Sequence, residues 1–293
     1  PRADRQRKVI MGFRLANIAD RAALVMGDDY FDLEQISGGA VSADPMVAIG
    51  QGDAMSALYG QLADHSPTGQ LSSVTLGAPS PRPQKSFGVG LNYADHAAET
   101  SMEVPDNPLV FTKFPSCIVG PTADVEIRSD GCDYEGELLV VIGKGGKDIP
   151  LDDAWDHIAG LSIGQDVSDR PAQFAAKPPH FDLGKSFDTF GPCGPLLVSP
   201  DLIDDRSSLR IITKLNGEVR QDDTTASMIF DVPTLVSYLS RITTLVTGDI
   251  IFSGTPEGIG WSQETYLADG DIITTTIEGI GTMTNRCVRV SDY

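Results

Sequence analysis

The sequence predicts an α+β fold that is mainly β: a mixed β-roll with few peripheral helices, plus a small N-terminal domain. Three observations lead to this prediction. Short apolar segments bounded by glycine recur after residue 130, which is typical of buried strands. An Asn-Gly pair lies between two such segments at residues 216–217. Helical and strand patterns do not alternate regularly, which disfavours a doubly wound parallel sheet.

Residues 1–70 form the predicted small N-terminal domain, and residues 71–293 form the larger second domain. The N-terminal pattern predicts a strand at Lys8–Leu15, a short helical run near Ile18–Val25 and an amphipathic stretch at Met46–Leu62. The segment 65–85 is rich in Ser, Pro and Gly, which is typical of a connector. We therefore place the boundary near residue 70.

The second domain carries most of the strand signals. Strands are predicted at Glu137–Ile142, Leu209–Leu215, Glu218–Gln221, Asp249–Ser253, Asp271–Ile277 and Thr282–Val290. Asn216-Gly217 favours a type I′ hairpin turn because both residues tolerate positive φ. Helices are predicted at Asp152–Leu161 and after Asp231, a good N-cap that is followed by Pro233 in the first turn.

Composition and charge narrow the classes of partner. The chain has 293 residues, of which 41% are hydrophobic and 22% charged, as in ordinary globular proteins. A formal net charge of −19 disfavours nucleic acid and anionic membranes as partners. The apolar segments are too short for a membrane span, and no signal-peptide pattern is seen. Four scattered cysteines without a CxxC pair disfavour a zinc ribbon or a disulfide scaffold, so we expect a reduced, cytoplasmic protein.

Two glutamates at the entrance of a predicted strand suggest a metal site. Glu135 and Glu137 are two residues apart, so in an extended chain both side chains project from the same face. Asp166 closes another apolar segment and could supply a third oxygen ligand. Carboxylate oxygens select hard cations, so Mg²⁺ or Mn²⁺ is expected, with Ca²⁺ as a further candidate. A Glu-x-Glu pair is also typical of a solvated strand end, and spacing alone leaves both interpretations open.

A second group of residues suggests acid–base chemistry. His96 and Glu99 are three residues apart and share a face if their segment is helical, so the carboxylate can orient the imidazole. Lys185 could stabilise a developing oxyanion. The turn that begins at Gly254 offers backbone N–H groups and the Thr255 hydroxyl to a carboxylate. Each feature also occurs on ordinary surfaces and in ordinary turns. Nucleotide-binding loops and an HExxH zinc motif are missing, which disfavours a dehydrogenase or a zinc protease.

Taken together, these segments resemble the fumarylacetoacetate hydrolase family. The matching segments are GLNYADHAAE (90–99), DYEGELLVVIGK (133–144), GQDVSDR (164–170), GKSFDTFGPCGP (184–195), LNGEVRQ (215–221) and TGDIIFSGTPEGIG (247–260). The resemblance implies a fumarylacetoacetate hydrolase-like catalytic domain, a homodimer and one divalent ion per site. It implies that the ion is held by Glu135, Glu137 and Asp166, and that His96 and Glu99 lie on a segment that orders over bound substrate. The substrate-contacting residues expected with it are Lys185, Thr255, Gly254, Arg170 and Gln173.

The family acts on 2-oxo acids and 1,3-diketones. The implied function is a divalent-metal-dependent hydrolase that cleaves a C–C bond in a 2,4-diketo acid, either an acylpyruvate or a sugar-derived diketo acid. The ion would stabilise the enolate, His96 with Glu99 would deprotonate water, and Lys185 would hold the oxyanion. The alternative is a decarboxylase or isomerase acting on oxaloacetate or another 2-oxo acid at the same site. A metal-stabilised binding module is a third interpretation, but it gives no reason for an acid–base pair.

Overall fold

A computed structural model describes residues 12–99 and 103–290 of the chain. Its strands are β1 Arg14–Ile18, β2 Arg21–Met26, β3 Asp29–Asp32, β4 Gly69–Gln70, β5 Leu76–Gly77, β6 Ser86–Gly90, β7 Leu109–Thr112, β8 Ile118–Val119, β9 Val125–Ile127, β10 Cys132–Asp133, β11 Gly136–Ile142, β12 Ile158–Gln165, β13 Ser168–Asp169, β14 Gly191–Val198, β15 Arg210–Leu215, β16 Glu218–Thr224, β17 Ile250–Phe252, β18 Ile272–Ile277 and β19 Gly281–Arg289. Its α-helices are α1 Leu33–Ile36, α2 Pro45–Ala48, α3 Gly52–Tyr59, α4 Ala94–Glu99, α5 Arg170–Gln173, α6 Phe181–Gly184, α7 Val232–Ile242 and α8 Gly260–Gln263. Short 3₁₀ helices lie at Ile49–Gln51, Leu62–Asp64, Leu71–Ser73, Pro115–Cys117, Leu151–His157, Pro200–Leu202 and Thr225–Ser227.

Most of these strands join one large mixed sheet. Its order is β4-β3-β2-β1-β14-β12-β11-β17-β6-β7, with β5 paired to β1 and β8 paired to β14. The pairs β6–β17 and β8–β14 are parallel, and the other pairs are antiparallel. A second sheet has the order β16-β15-β18-β19-β9, and β10 pairs with β13. The predicted class, α+β and mainly β with a mixed sheet, is confirmed.

Strand β11 lies inside the large sheet and is buried along its whole length. Leu138, Val140 and Ile142 pack in one hydrophobic core together with α7. Leu139 and Val141 pack in a second core together with apolar residues of α1, α2 and α3. Because alternate side chains of a strand point to opposite faces, both faces of β11 are covered. The entrance of β11 is therefore fixed between two packed layers.

The N-terminal elements differ from the prediction. The predicted strand begins at Lys8, but residues 8–11 lie outside the described residues and β1 begins at Arg14. The prediction of a short helical run near Ile18–Val25 is wrong. This segment is the β1–β2 hairpin, with positive φ at Ala19 (50°) and Asp20 (61°). Pairing of β1 with both β2 and β14 satisfies its backbone groups, so tertiary pairing outweighs the local helical pattern.

The amphipathic stretch at Met46–Leu62 forms α2 and α3, which a 3₁₀ turn at Ile49–Gln51 separates. Two glycines, Gly50 and Gly52, lie at this interruption and are poor residues for a continuous helix. The domain boundary near residue 70 stays a prediction. In the structure the β1–β14 pairing continues the large sheet from the first residues described into the second half of the chain.

Most elements predicted for the second half are confirmed. The Asn216-Gly217 turn joins β15 to β16 with positive φ at both residues, 52° and 84°. Helix α7 begins after Asp231, whose carboxylate accepts a hydrogen bond from the Thr234 N–H at 3.0 Å.

The helix predicted at Asp152–Leu161 is wrong. Residues Leu151–His157 form a 3₁₀ helix, and Ile158–Gln165 form β12. Strand β12 pairs with β11 on one side and with β14 on the other. A Cβ atom at Gly160 would lie 2.6 Å from the Leu197 side chain, so glycine permits this close approach of β14. Two strand partners therefore decide the conformation of this segment.

The described helices are all too short or too polar to cross a membrane. All four cysteines of the chain are buried free thiols. Burial raises the pKa of each thiol, which keeps it protonated and unreactive.

Candidate metal centre and active site

The antiparallel pairing of β11 and β12 brings three carboxylates together. Glu137 lies opposite Gly164 in this pair, so the start of β11 meets the end of β12. Asp166 directly follows β12, and its N–H donates to the Glu135 carbonyl at 2.9 Å. Glu135, Glu137 and Asp166 each offer an oxygen within 4.8 Å of the others, and all three are buried. The solvated-strand-end interpretation of Glu135 and Glu137 is therefore wrong.

Buried cationic groups surround two of these carboxylates. The Lys185 ammonium donates to Glu135 at 2.7 Å and to Asp166 at 2.8 Å. The Lys113 ammonium, which has no exposed area, donates to Asp166 at 2.6 Å and to the Lys185 carbonyl. Arg170 donates to the second oxygen of Glu135 at 2.7 Å. Burial raises the pKa of Glu135, but the charges of Lys185 and Arg170 outweigh it and lower this pKa to about 2.

Glu137 has a different environment. Its Oε2 accepts a hydrogen bond from the Gly254 N–H at 2.8 Å. Burial and the neighbouring charges of Asp166 and Glu135 raise the pKa of Glu137 well above its usual range. The triad therefore lacks positive charge on the side of Glu137.

The donor set fits a hard divalent cation. Three buried carboxylates that converge without enough positive charge repel one another, and a cation between them removes this repulsion. Glu135, Glu137 and Asp166 would hold the ion through oxygen atoms, which are the ligands of Mg²⁺ and Mn²⁺. The ligand set implied by the sequence resemblance is thus brought together by the fold.

Replacing Lys113 by methionine is expected to destabilise the metal-free protein strongly. The change keeps the length of the side chain but removes a buried cation, which leaves Asp166 with one ion-pair partner fewer. Breaking a buried pair in this way costs about 3 kcal/mol or more of unfolding free energy. Urea denaturation in EDTA measures this loss of unfolding free energy, and Lys177→Met, at an exposed lysine, is the control. Equal midpoints for the two variants would contradict the role of Lys113.

His96 and Glu99 form a hydrogen-bonded pair on helix α4. His96 Nδ1 lies 2.7 Å from Glu99 Oε1, and the imidazole is buried. Since a carboxylate only accepts, Nδ1 carries the proton. Burial raises the pKa of Glu99, but hydrogen bonds from His96, Ser262 and the Gly258 N–H outweigh it and lower this pKa. The predicted helical His–Glu pair is present.

The position of α4 is set by Asn92. Its side-chain amide donates to the Ser253 carbonyl at 2.7 Å and to the Phe230 carbonyl at 2.9 Å, and its oxygen accepts from the Phe230 N–H. Ser253 follows β17, and Asn92 follows β6, which is the parallel neighbour of β17. Helix α4 therefore starts beside the turn whose Gly254 N–H holds Glu137.

One cleft is lined both by His96 of the His–Glu pair and by Glu135 of the carboxylate triad. Its lining includes His96, Glu135, Arg170, Gln173 and Lys185. Its apolar wall consists of Leu91, Phe111, Phe174, Phe181, Ile259 and Trp261. The cleft thus places an imidazole, three charged side chains and apolar contact area around the same space.

Arg170 and Gln173 line this cleft and bind each other. The Arg170 guanidinium donates to Gln173 at 2.9 Å, and it also holds Asp133 at 2.6 Å. Lys185 lies at the cleft and is bonded to Glu135 and Asp166. Substrate contact by these three residues stays a prediction, and their position in the cleft is compatible with it.

The Gly254 turn holds a carboxylate of the protein. The Gly254 N–H donates to Glu137 and so positions one member of the triad, while substrate contact by Gly254 stays a prediction. The Thr255 hydroxyl donates to the Gly136 carbonyl at 2.9 Å and accepts from the Gln221 amide at 2.7 Å. These bonds fasten the turn to the entrance of β11, and substrate contact by Thr255 stays a prediction.

Sequence reasoning missed Lys113, Asp133 and Ser262. A signal for Lys113 exists, since a lysine inside the apolar run LVFTKF (109–114) needs a buried partner. Asp133 lies next to the recognised glutamates, but its partners, Arg170 and the backbone of residues 260–261, come from distant segments. No local pattern marks Ser262.

A mixed β-roll in which one cleft is lined by a member of a His–Glu pair and a member of an acidic triad is the architecture of an enzyme. The sequence matches the family model described as fumarylacetoacetate (FAA) hydrolase C-terminal over residues 85–288. The chain belongs to the fumarylacetoacetate hydrolase family, as predicted.

Named relatives include two tautomerases and one hydrolase. The chain is 42% identical to oxaloacetate tautomerase FAHD2A, mitochondrial, of Bos taurus over 243 residues, which is 81% of this chain and 77% of the relative. It is 40% identical to oxaloacetate tautomerase YisK of Bacillus subtilis (strain 168) over 273 residues, 87% of this chain and 88% of the relative. Among solved structures, the chain is similar to the crystal structure of maleylpyruvate hydrolase from Sphingobium sp. SYK-6 in complex with manganese (II) ion and pyruvate. The two sequences are 27% identical, and the TM-score is 0.80 over 94% of this chain and 99% of the other. The predicted homodimer and cytoplasmic location stay predictions.

Proposed function

We propose that this protein is a divalent-metal-dependent tautomerase that interconverts the enol and keto forms of oxaloacetate or a closely related 2-oxo acid. The observation that carries the proposal is one cleft whose lining includes His96 of the His96–Glu99 pair and Glu135 of the Glu135–Glu137–Asp166 triad. Identities of 40–42% to two oxaloacetate tautomerases support it. This reaction is the isomerase alternative of the sequence prediction, and it replaces C–C hydrolysis as the first choice.

Tautomerisation needs one proton moved between carbon C3 and the oxygen on C2. His96 Nε2 takes the C3 proton, the C3–H electron pair becomes the C2–C3 double bond, and the carbonyl electron pair moves to the oxygen, which takes the proton from the imidazolium and returns His96 to its neutral form. Glu99 holds Nδ1–H and stabilises the imidazolium while His96 carries the extra proton. When bound, a divalent ion supplies a Lewis acid that stabilises negative charge on the substrate oxygen. Mg²⁺ and Mn²⁺ both suit the three carboxylates that would hold it.

Acidic side chains outnumber basic side chains at the site. Asp133, Glu135, Glu137 and Asp166 carry four negative charges when ionised, and the three cationic groups bonded among them belong to Lys113, Arg170 and Lys185. Glu99 adds a fifth acidic group beside His96, and a divalent cation would offset the two negative charges that the three cations leave over. Arg170 and Lys185 line the cleft and offer cationic groups to an anionic substrate.

Hydrolysis of an acylpyruvate is the second candidate. The structural likeness to a maleylpyruvate hydrolase with bound manganese and pyruvate favours it. In that reaction His96 would remove a proton from water, and Lys185 would hold the oxyanion. Lys185 already donates to two carboxylates in the structure, so this role requires it to exchange one of those bonds for substrate. Tautomerisation makes no such demand, and we place it first.

A substrate panel tests the proposal. Chelator-stripped protein is assayed alone and with added Mg²⁺ or Mn²⁺ on enol-oxaloacetate, on acylpyruvates and for pyruvate release from oxaloacetate. We expect metal-restored acceleration of ketonisation, followed as loss of enol absorbance, without pyruvate release. Acylpyruvate cleavage alone would favour the hydrolase, and pyruvate release would favour the decarboxylase. Full activity in the presence of chelator would contradict a metal-dependent mechanism.

A further inference from the structure

Glu99 is held on both sides of its carboxylate. Its Oε1 accepts from His96, and its Oε2 accepts from the Ser262 hydroxyl at 2.6 Å and from the Gly258 N–H at 3.0 Å. Ser262 lies on α8, far from α4 in sequence. The short distance is typical of a hydroxyl that donates to an ionised carboxylate. Ser262 is therefore the third member of a hydrogen-bonded chain that ends at the imidazole.

The segment 258–262 is itself fastened to the charged cluster. Asp133 accepts from the Gly260 N–H at 2.7 Å and from the Trp261 N–H at 3.0 Å, while it also holds Arg170. The Tyr134 hydroxyl donates to the Gly258 carbonyl at 3.1 Å. Gly258 has a φ of 101°, and a Cβ atom there would lie 2.0 Å from the Arg220 carbonyl oxygen, so glycine is required. The donor to Glu99 thus belongs to a fixed segment.

We propose that Ser262 is a positioning residue that fixes the Glu99 carboxylate toward His96 during proton transfer. The proposal rests on the proposed acid–base role of the His96–Glu99 pair. An ionised carboxylate on a helix surface can rotate about its side-chain torsions, and a donor on the opposite oxygen from His96 removes this freedom. The Ser262 hydroxyl also favours the charged form of Glu99, which stabilises the imidazolium.

Loss of the hydroxyl is expected to affect turnover more than binding. Hydrogen bonds to charged groups are strong enough for one such loss to lower kcat about tenfold. Ser262 does not contact the triad carboxylates, so metal affinity and KM should stay at the wild-type values. The groups that face Glu99 are His96 on α4, Ser262 and Gly258 on the fixed segment, and the Tyr134 side chain. Replacing Ser262 by alanine removes only the Ser262 donor among these groups, so the pKa of Glu99 rises. The acidic limb of the pH profile of kcat then moves to higher pH.

The test compares Ser262→Ala with Ser262→Thr and Thr265→Val. The threonine variant keeps the hydroxyl, and Thr265→Val removes a nearby hydroxyl that bonds the Gln263 carbonyl instead of Glu99. We expect the alanine variant to lose about tenfold in kcat with a shifted acidic limb, and both others to retain wild-type values. An alanine variant with wild-type kcat and pH profile, or a threonine variant as impaired as alanine, would overturn the proposal.

A measurement without substrate separates this proposal from the proposed function. The Nδ1 proton of His96, assigned by its loss in His96→Gln, is followed by NMR for solvent exchange. We expect faster exchange in Ser262→Ala than in the wild type or Thr265→Val. Unchanged exchange would overturn the positioning role whatever the reaction is. Faster exchange in a protein that does not ketonise oxaloacetate would keep the positioning role and reject the tautomerase.

Discussion

Glu137→Gln is expected to abolish tight divalent-metal binding and, with it, nearly all activity. The substitution removes one of three carboxylate ligands, while the amide oxygen can still accept from the Gly254 N–H at the position where Glu137 does. Since even changes around metal ligands cost about 10–100-fold in affinity, we expect a loss of about 100-fold or more. Calorimetric titration with Mn²⁺ measures it directly.

The same variant should be more stable than the wild type when both are metal-free. Burial and the charges of Asp166 and Glu135 raise the pKa of Glu137, so its ionised form is unfavourable in the folded state. A carboxyl with a raised folded-state pKa contributes stability below its unfolded-state pKa and loses that contribution as pH rises through the folded-state pKa. The free energy of unfolding of the metal-free wild type should therefore fall as pH rises from the unfolded-state pKa to the folded-state pKa of Glu137. That of Glu137→Gln should not.

Glu135→Gln is the matched control. Glu135 accepts from Arg170 and from Lys185, each at 2.7 Å, so a neutral amide leaves each of two buried cations with one anionic partner fewer. This change should lower metal affinity too, but it should destabilise the metal-free protein by about 3 kcal/mol. Thermal unfolding in EDTA at several pH values distinguishes the two variants. Destabilisation by both would mean that Glu137 is not the uncompensated member of the triad.

His96→Gln is expected to lower kcat for ketonisation about 10²–10⁴-fold, the usual contribution of a general acid–base. Glutamine retains a polar group that can bond Glu99, but it cannot exchange a proton at neutral pH. The metal affinity should not change, because His96 is outside the carboxylate triad. Steady-state kinetics together with Mn²⁺ titration check both parts.

His157→Gln serves as its control. His157 bonds the Lys144 carbonyl at 2.7 Å and lies outside the lining of the cleft, so the variant should keep wild-type kcat. Wild-type turnover by His96→Gln would show that another group transfers the proton. A parallel loss of Mn²⁺ affinity in His96→Gln would instead place the imidazole at the metal.

Local patterns predicted those elements whose conformation depends on near neighbours. The type I′ turn at Asn216-Gly217 follows from residues that tolerate positive φ, and the start of α7 follows from the Asp231 cap. Local patterns gave the wrong element at β1–β2 and at β12, where pairing with β14 decides that the segment is a strand. Strand β14 begins at residue 191, whereas β1 ends at residue 18 and β12 at residue 165, so no short local window contains both members of either pair.

The sequence by itself determined the chemistry that is available: paired glutamates at a strand entrance, and a histidine and glutamate three residues apart on a short helix. Only the tertiary structure decided how these groups are charged and held. Lys113, Arg170 and Lys185 reach two carboxylates and leave Glu137 without an ionic partner of its own among the described residues. Asp133 and Ser262 fasten the surrounding segments. The physical reason is that proton and metal affinities depend on burial and on neighbouring charges, and both are set by which distant segments meet.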